Sequence, residues 1–233
     1  MNEFDIIAEG INEQNRWNRG DVPSAADYTG EASFIDTFFQ ALSDLAALVL
    51  GSKRLEADGR KETNESINER ASEALAEVFD HRTLSEWGSM SMEAREAKLS
   101  EYYEKLGEIM GIDAKGIIIE DCFATARPGV LGYNSGDGYL HIDYRNIQNP
   151  EMLCELLSTT LHEARHQLQF EAIEDPSRFP WISPAMIEQW EYNMVNYHTG
   201  EFGIESYITQ IVEVDANVFA ADILNGYAGI MGF

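Results

Sequence analysis

The spacing of apolar residues divides the chain into a helical first half and a mixed second half. In the first half, apolar residues recur every three to four positions, which predicts helices that each bury one face. Residues 1–32 are polar by comparison and are predicted to form an N-terminal arm with one short helix. The longer helices of the first half are predicted at residues 33–50, 66–79 and 92–110.

The period of the pattern shortens to that of strands after residue 115. Ile117–Ile119 is predicted to be one strand. Two further apolar runs, 129–133 and 139–142, flank a glycine-rich turn at Asn134–Gly138 and are predicted to pair as a hairpin. His141 alternates with apolar neighbours, which is typical of a histidine on a sheet face; approach to a metal is the alternative.

The segment 149–170 carries the strongest helix signals in the chain. Asn149 is suited to cap the first turn, and Pro150 at the first helical position loses no hydrogen bond that the helix needs. A second, polar stripe, which includes His162 and His166, runs beside the apolar one. The apolar stripe consists of Leu153, Leu156, Leu157, Thr160, Leu161, Ala164 and Leu168.

Within this helix, residues 162–166 read His-Glu-Ala-Arg-His, an HExxH motif. His162 and His166 are one turn apart and project to the same side. Two imidazole nitrogens in this arrangement suit a tetrahedral zinc ion. Glu163 follows the first histidine directly and flanks such a metal without binding it. It is therefore predicted to be the general base that takes a proton from a water activated by the metal.

A third ligand is expected from a later helix, predicted at Tyr207–Leu224. Glu213 and Asn217 share one face of it at i and i+4. Glu213 is the predicted third ligand, because a carboxylate completes a two-His, one-Glu set and leaves one coordination position to water. Asn217 is predicted to hold a ligand histidine by a hydrogen bond. Asp215 is the rival, although two residues along the helix it points elsewhere.

Two further side chains are candidates for a donor to the oxyanion that forms when water attacks a carbonyl. They are Tyr207, the better placed, and His198. Arg165, inside the motif, is predicted to pair with Glu163 or with another acid near the ligands. The alternative for Arg165 is a surface salt bridge that contributes little.

The HExxH helix followed by a helix that reads Glu213-Val-Asp-Ala-Asn217 resembles the zincin metallopeptidases of the gluzincin kind. The continuation to Leu224 is similar in particular to the ImmA/IrrE family and its relatives. The resemblance covers about residues 113–228. It implies a zincin fold, one zinc ion and peptide-bond hydrolysis. It also implies that the edge strand of a hairpin lies beside the cleft; either 130–133 or 139–142 qualifies here.

The composition narrows the expected partners. The chain has 41 acidic and 16 basic residues among 233, a formal net charge of −25. Such a balance argues against unaided binding to nucleic acids or to anionic membranes. The two cysteines, Cys122 and Cys154, form no disulfide framework and indicate a reducing compartment. The chain lacks a leader-like start and a membrane-spanning run, so we expect a cytoplasmic protein, with leaderless export as the alternative.

These observations predict an α+β protein with a zincin-like catalytic domain at 113–233, a helical region at 33–112 and the polar arm at 1–32. The catalytic domain would combine a small sheet with an edge hairpin, the HExxH helix and the third-ligand helix. The expected function is that of a zinc-dependent peptidase acting on protein or peptide substrates. The alternative is a zincin module that holds zinc without cutting and acts as a protein-binding or effector domain.

Overall fold

The computed structural model describes residues 61–125, 130–198 and 204–233. The arm predicted at 1–32 and the helix predicted at 33–50 lie outside these ranges. The described residues are mainly helical and include a small mixed sheet, an α+β arrangement. The α-helices are α1 (Lys61–Val78), α2 (His81–Glu86), α3 (Met92–Met110), α4 (Cys122–Thr125), α5 (Tyr144–Gln148), α6 (Leu153–Glu174), α7 (Pro184–Val195), α8 (Ile204–Ile208) and α9 (Ile211–Met231). Short 3-10 helices occupy Trp87–Ser89, Pro150–Met152 and Pro176–Arg178.

The sheet of the described residues has three strands in the order β1-β3-β2. They are β1 (Gly116–Glu120), β2 (Gly132–Asn134) and β3 (Tyr139–Asp143). β2 and β3 form the predicted antiparallel hairpin, while β1 pairs with β3 in parallel. β3 is therefore central, and of the two candidate edges only the one that contains β2 lies at an edge.

The helix α6 lies between the sheet and α9. The residues of its predicted apolar stripe, Leu156 to Leu168, are buried. α9 packs along both α6 and α1. β2 lies close against α6 because residue 132 is a glycine: a Cβ there would come within 2.6 Å of the His141 carbonyl oxygen and 2.8 Å of the Thr159 methyl carbon.

Most residues that the sequence predicts to cap or end a helix do so in the structure. Ser91 caps α3 and Gly111 ends it in the left-handed conformation. The Asn149 side chain accepts a hydrogen bond from the Glu151 amide, although the first turn that it caps is a 3-10 helix and α6 itself begins at Leu153. α6 continues to Glu174, four residues beyond the predicted end.

The predicted start and end of the third-ligand helix are both wrong. Tyr207 lies on the separate helix α8, and α9 begins at Ile211 because Gln210 is extended and its side chain bonds to the His198 backbone. α9 also runs past Leu224 to Met231. It continues there because the Tyr227 hydroxyl donates to the carbonyl of Phe79, and the buried ring packs into the core.

The helices before residue 113 share one hydrophobic core with the rest of the described chain. Ser72 of α1 donates a hydrogen bond to the Ile223 carbonyl of α9 at 3.0 Å. The domain boundary between 112 and 113 stays a prediction. In the described ranges, no helix combines the length and the apolar character needed to cross a lipid bilayer.

Candidate metal centre

Three predicted ligands converge at the contact between α6 and α9. The Nε2 atoms of His162 and His166 face each other at 2.9 Å. Glu213 enters from the first turn of α9, with Oε2 at 3.3 Å from His162 Nε2 and Oε1 at 3.5 Å from His166 Nε2. All three side chains are largely buried, Glu213 almost completely. In the described part of the chain, this is the only group of three metal-ligating side chains close enough to share an ion.

The separations between these atoms suit a small divalent cation. Donors at about 2.0–2.1 Å from a tetrahedral zinc ion lie about 3.3 Å from one another. The two nitrogen–oxygen distances are close to this value, and each involves a different oxygen of Glu213. The nitrogen–nitrogen distance corresponds to a narrower angle of about 90° at the ion. Two imidazoles and one carboxylate leave a fourth position open, the donor set of catalytic zinc sites.

The outer nitrogens of both histidines face amide oxygens. His162 Nδ1 lies 2.9 Å from Asn217 Oδ1, and His166 Nδ1 lies 2.8 Å from Gln169 Oε1. Because an amide oxygen only accepts, this arrangement favours, for each neutral ring, the form with its proton on Nδ1. The two Nε2 lone pairs and the Glu213 carboxylate are then acceptors that point at one another. Such a set requires a cation, or a shared proton, at its centre.

The pKa shifts at the site also indicate that the centre attracts positive charge. For Glu213, burial alone would raise the pKa, but the hydrogen bonds and charges of His162 and His166 hold it well below its usual range. For His166, burial lowers the pKa, but Glu213 and Glu163 more than offset this and raise it to about 9. The carboxylates therefore attract positive charge to the centre strongly enough to overcome desolvation.

Glu163 lies beside the ligands and in contact with the hairpin. The backbone N–H of Asn134 on β2 lies near its carboxylate and favours the charged form. Burial raises the pKa of Glu163, while the charges of His162 and His166 partly lower it again. A carboxylate with a raised pKa binds a proton more readily, as a general base near neutral pH must.

Arg165 pairs with Asp215, the residue considered as a rival ligand. The guanidinium donates from Nε to Asp215 Oδ2 at 2.8 Å and from a terminal nitrogen to Oδ1 at 3.0 Å. It also lies over the rings of Trp190 and Phe219. Arg165 is 6% exposed, so the alternative of a surface salt bridge does not describe it. The sequence predicts that Arg165 pairs with Glu163 or with another acid near the ligands, and the observed partner is the second kind, Asp215.

Two tyrosines approach Glu213, and only Tyr207 could be predicted. The Tyr197 hydroxyl donates to Glu213 Oε1 at 2.6 Å. Tyr207 lies edge-on to Tyr197, with ring centroids 6.0 Å apart, and burial raises its pKa well above its ordinary value. Tyr197 lies two residues beyond the end of α7, and no motif marks it. Its contact with Glu213 depends on how α7 packs, which no local signal reveals.

The two remaining candidate histidines lie outside the three-ligand cluster. His198 is exposed, and its Nδ1 lies 2.7 Å from the Ser206 hydroxyl. His141 stacks on Tyr133 and its Nδ1 lies 2.7 Å from Glu120 Oε1, which agrees with a histidine on a sheet face.

Comparison of the chain with protein-family models, with curated proteins and with solved structures finds no match.

Proposed function

We propose that this chain is a zinc-dependent peptidase of the zincin type. The observation that carries the proposal is the convergence of His162, His166 and Glu213 from two helices, with Glu163 beside them. The donor set and its spacing suit zinc with one open position. The amide oxygens of Asn217 and Gln169 face the Nδ1 atoms of the two histidines. This arrangement leaves Nε2 of each histidine available to bind a metal.

The residues of the site have separate tasks in this reaction. His162, His166 and Glu213 would hold a zinc ion, which would supply polarisation of the substrate carbonyl and a water with its pKa lowered to about 7. Glu163 takes the proton of the attacking water and delivers it to the amine nitrogen that leaves. Tyr197 and Tyr207 both interact with Glu213, and Tyr207 is the proposed donor to the oxyanion.

The hairpin supplies a place for an extended substrate. The Asp143 amide donates to the Leu131 carbonyl, so these two residues form a hydrogen-bonded pair of the antiparallel ladder. Such pairs recur every second residue, so Tyr133 and His141 form the next one. The amides and carbonyls of Gly132 and Asn134 therefore point away from β3. Among the described residues no strand pairs with this outer side of β2. A peptide strand added there would lie next to Glu163.

Metal analysis tests the proposal directly. Protein purified without chelator is expected to hold about one zinc per chain, and the His162→Ala variant close to none. His141→Ala is the matched control, because this histidine lies outside the cluster, and it should retain the metal. Parent protein that binds no divalent metal even after zinc is supplied would end the case for hydrolysis.

The second candidate is a zinc-holding module that binds a protein partner without cutting it. The burial of the ligands favours it, since the side chains of His162 and His166 are only 15% and 11% exposed. Glu163→Gln separates the two functions. Loss of peptide cleavage with retained zinc supports the peptidase, whereas an unchanged biological effect supports the binding module. A cytoplasmic location and a protein or peptide partner stay predictions under both.

A further inference from the structure

Gln169 connects a candidate ligand on α6 to the backbone and side chains of α9. It lies three residues after His166 and is completely buried. Its amide nitrogen donates to the Val212 carbonyl at 3.0 Å and to Asp215 Oδ2 at 2.8 Å. Its amide oxygen faces His166 Nδ1 at 2.8 Å. All polar atoms of this amide therefore have partners, and the partners differ at its two ends.

The partners on α9 determine which way round the amide sits. A backbone carbonyl and a carboxylate can only accept hydrogen bonds. If the amide of Gln169 were reversed, its oxygen would face both of these acceptors and its nitrogen would lose both. Leaving buried polar groups unpaired in this way is strongly unfavourable. The nitrogen must therefore face α9, and the oxygen must face His166.

Arg165 keeps the acid at the end of this chain in place. The guanidinium is permanently charged, and its planar fork contacts both oxygens of Asp215. Asp215 is thus held on one side by Arg165 and on the other by Gln169. Hydrogen bonds therefore connect Arg165 through Asp215 and Gln169 to His166, and the permanent donor Arg165 fixes the donor and acceptor roles along this chain.

We infer that Gln169 is a positioning residue that sets the tautomer of His166. Because the amide oxygen can only accept, it selects the ring with its proton on Nδ1 and leaves the Nε2 lone pair directed at Glu213. The inference rests on the proposed function in that Nε2 is the atom offered to the metal. The tautomer itself belongs to the protein without metal and can be measured there.

The matched control is a second glutamine on the same helix. Gln167 is also buried; its nitrogen donates to Glu171 and its oxygen accepts from the Gly138 amide. Its side chain forms no hydrogen bond to either ligand histidine in the described structure. Gln169→Met and Gln167→Met thus remove comparable buried amides, and only the first removes the acceptor at His166.

The test measures the ring-nitrogen chemical shifts of the full-length, metal-free protein by NMR above about pH 10, because the pKa of His166 is raised to about 9 and the ring must be neutral. In the parent and in Gln167→Met, His166 is expected as the Nδ1–H tautomer. In Gln169→Met it should become a mixture with the Nε2–H form. Zinc affinity, measured by competition with a chelator, should fall about 10–100-fold in Gln169→Met and stay within about twofold in Gln167→Met.

Two results would overturn the inference: a His166 tautomer in Gln169→Met identical to that of the parent, or an equal loss of zinc affinity in both variants. If Gln169→Met does not fold, Gln169→Leu takes its place, because it removes the same acceptor from His166 Nδ1. It should shift the tautomer in the same direction, and an unchanged tautomer there would again refute the inference. A parent protein without zinc affinity would refute the peptidase, while the tautomer comparison would still decide the role of Gln169.

Discussion

The ion pair between Arg165 and Asp215 is the contact whose removal the structure allows us to evaluate most directly. The Arg165 side chain is 8% exposed and that of Asp215 is 20% exposed. Arg165→Met keeps a long apolar side chain against Trp190 and Phe219 while it removes the charge. The carboxylate of Asp215 then retains one partner, the amide of Gln169.

The expected loss follows from this burial. Removing one partner of a buried ion pair costs about 3–5 kcal/mol, because an uncompensated charge is left inside the protein. Since Asp215 has some contact with solvent and keeps one hydrogen bond, we expect the lower end, about 3 kcal/mol. The double variant Arg165→Met/Asp215→Leu leaves no buried charge at either position. It should recover most of this loss.

Urea unfolding of the metal-free protein, followed by circular dichroism, measures these differences. Arg82→Met is the control, because Arg82 forms an exposed pair with Glu86 on α2. Its free energy of unfolding should change by less than about 1 kcal/mol. If Arg165→Met behaves like this control, or if the double variant is no more stable than the single one, the description of a buried, coupled pair is wrong.

Two further substitutions test other parts of the fold. Burial raises the pKa of Glu155, and among the described residues one of its buried oxygens has no hydrogen-bond partner. The folded protein therefore binds this proton more tightly than the unfolded chain, and the free energy of unfolding should fall as pH rises from about 4.5 through the folded-state pKa. Glu155→Gln should flatten this dependence and stabilise the protein at pH 7 by about 1 kcal/mol, whereas a pH profile equal to that of the parent would contradict the assignment. Gly132→Ala should cost about 1–3 kcal/mol in denaturant unfolding, because its Cβ meets the His141 carbonyl, and Gly229→Ala, which meets nothing, is the control.

The candidate ligands could be selected from the sequence because their signals are local. His162 and His166 follow the helical period, and so do Glu213 and Asn217 on the later helix. Each pair stays on one face wherever its helix begins. The wrong start at Tyr207 therefore did not affect the choice of Glu213. A shift of helix boundary changes the length of an element but leaves the angular relation of residues inside it unchanged.

The edge of the sheet could not be selected in the same way. The strands around 130–133 and 139–142 have similar alternation, and a hairpin alone offers both as edges. β1 removes one of them by pairing in parallel with β3, with Ile118 opposite His141. Parallel pairing joins segments that are distant in the chain, and no turn chemistry records it. The decision between the two edges thus depends on tertiary structure.

Asn217 could be predicted as a support of a ligand histidine, but Gln169 could not, and the packing of α6 explains why. From Arg165 to Glu171, every residue but Phe170 is buried, so this part of the helix has no solvent face. Amphipathic patterning separates buried from exposed positions, but here both polar and apolar residues are inside. Gln169 and Arg165 face α9, while His166 faces the ligand cluster. Buried polar residues are retained where each has a defined partner, so this helix turn is ordered by directional hydrogen bonds more than by apolar contact. Hydrophobic patterning is expected to be uninformative at such a turn, and the departure from it coincides with the candidate metal centre.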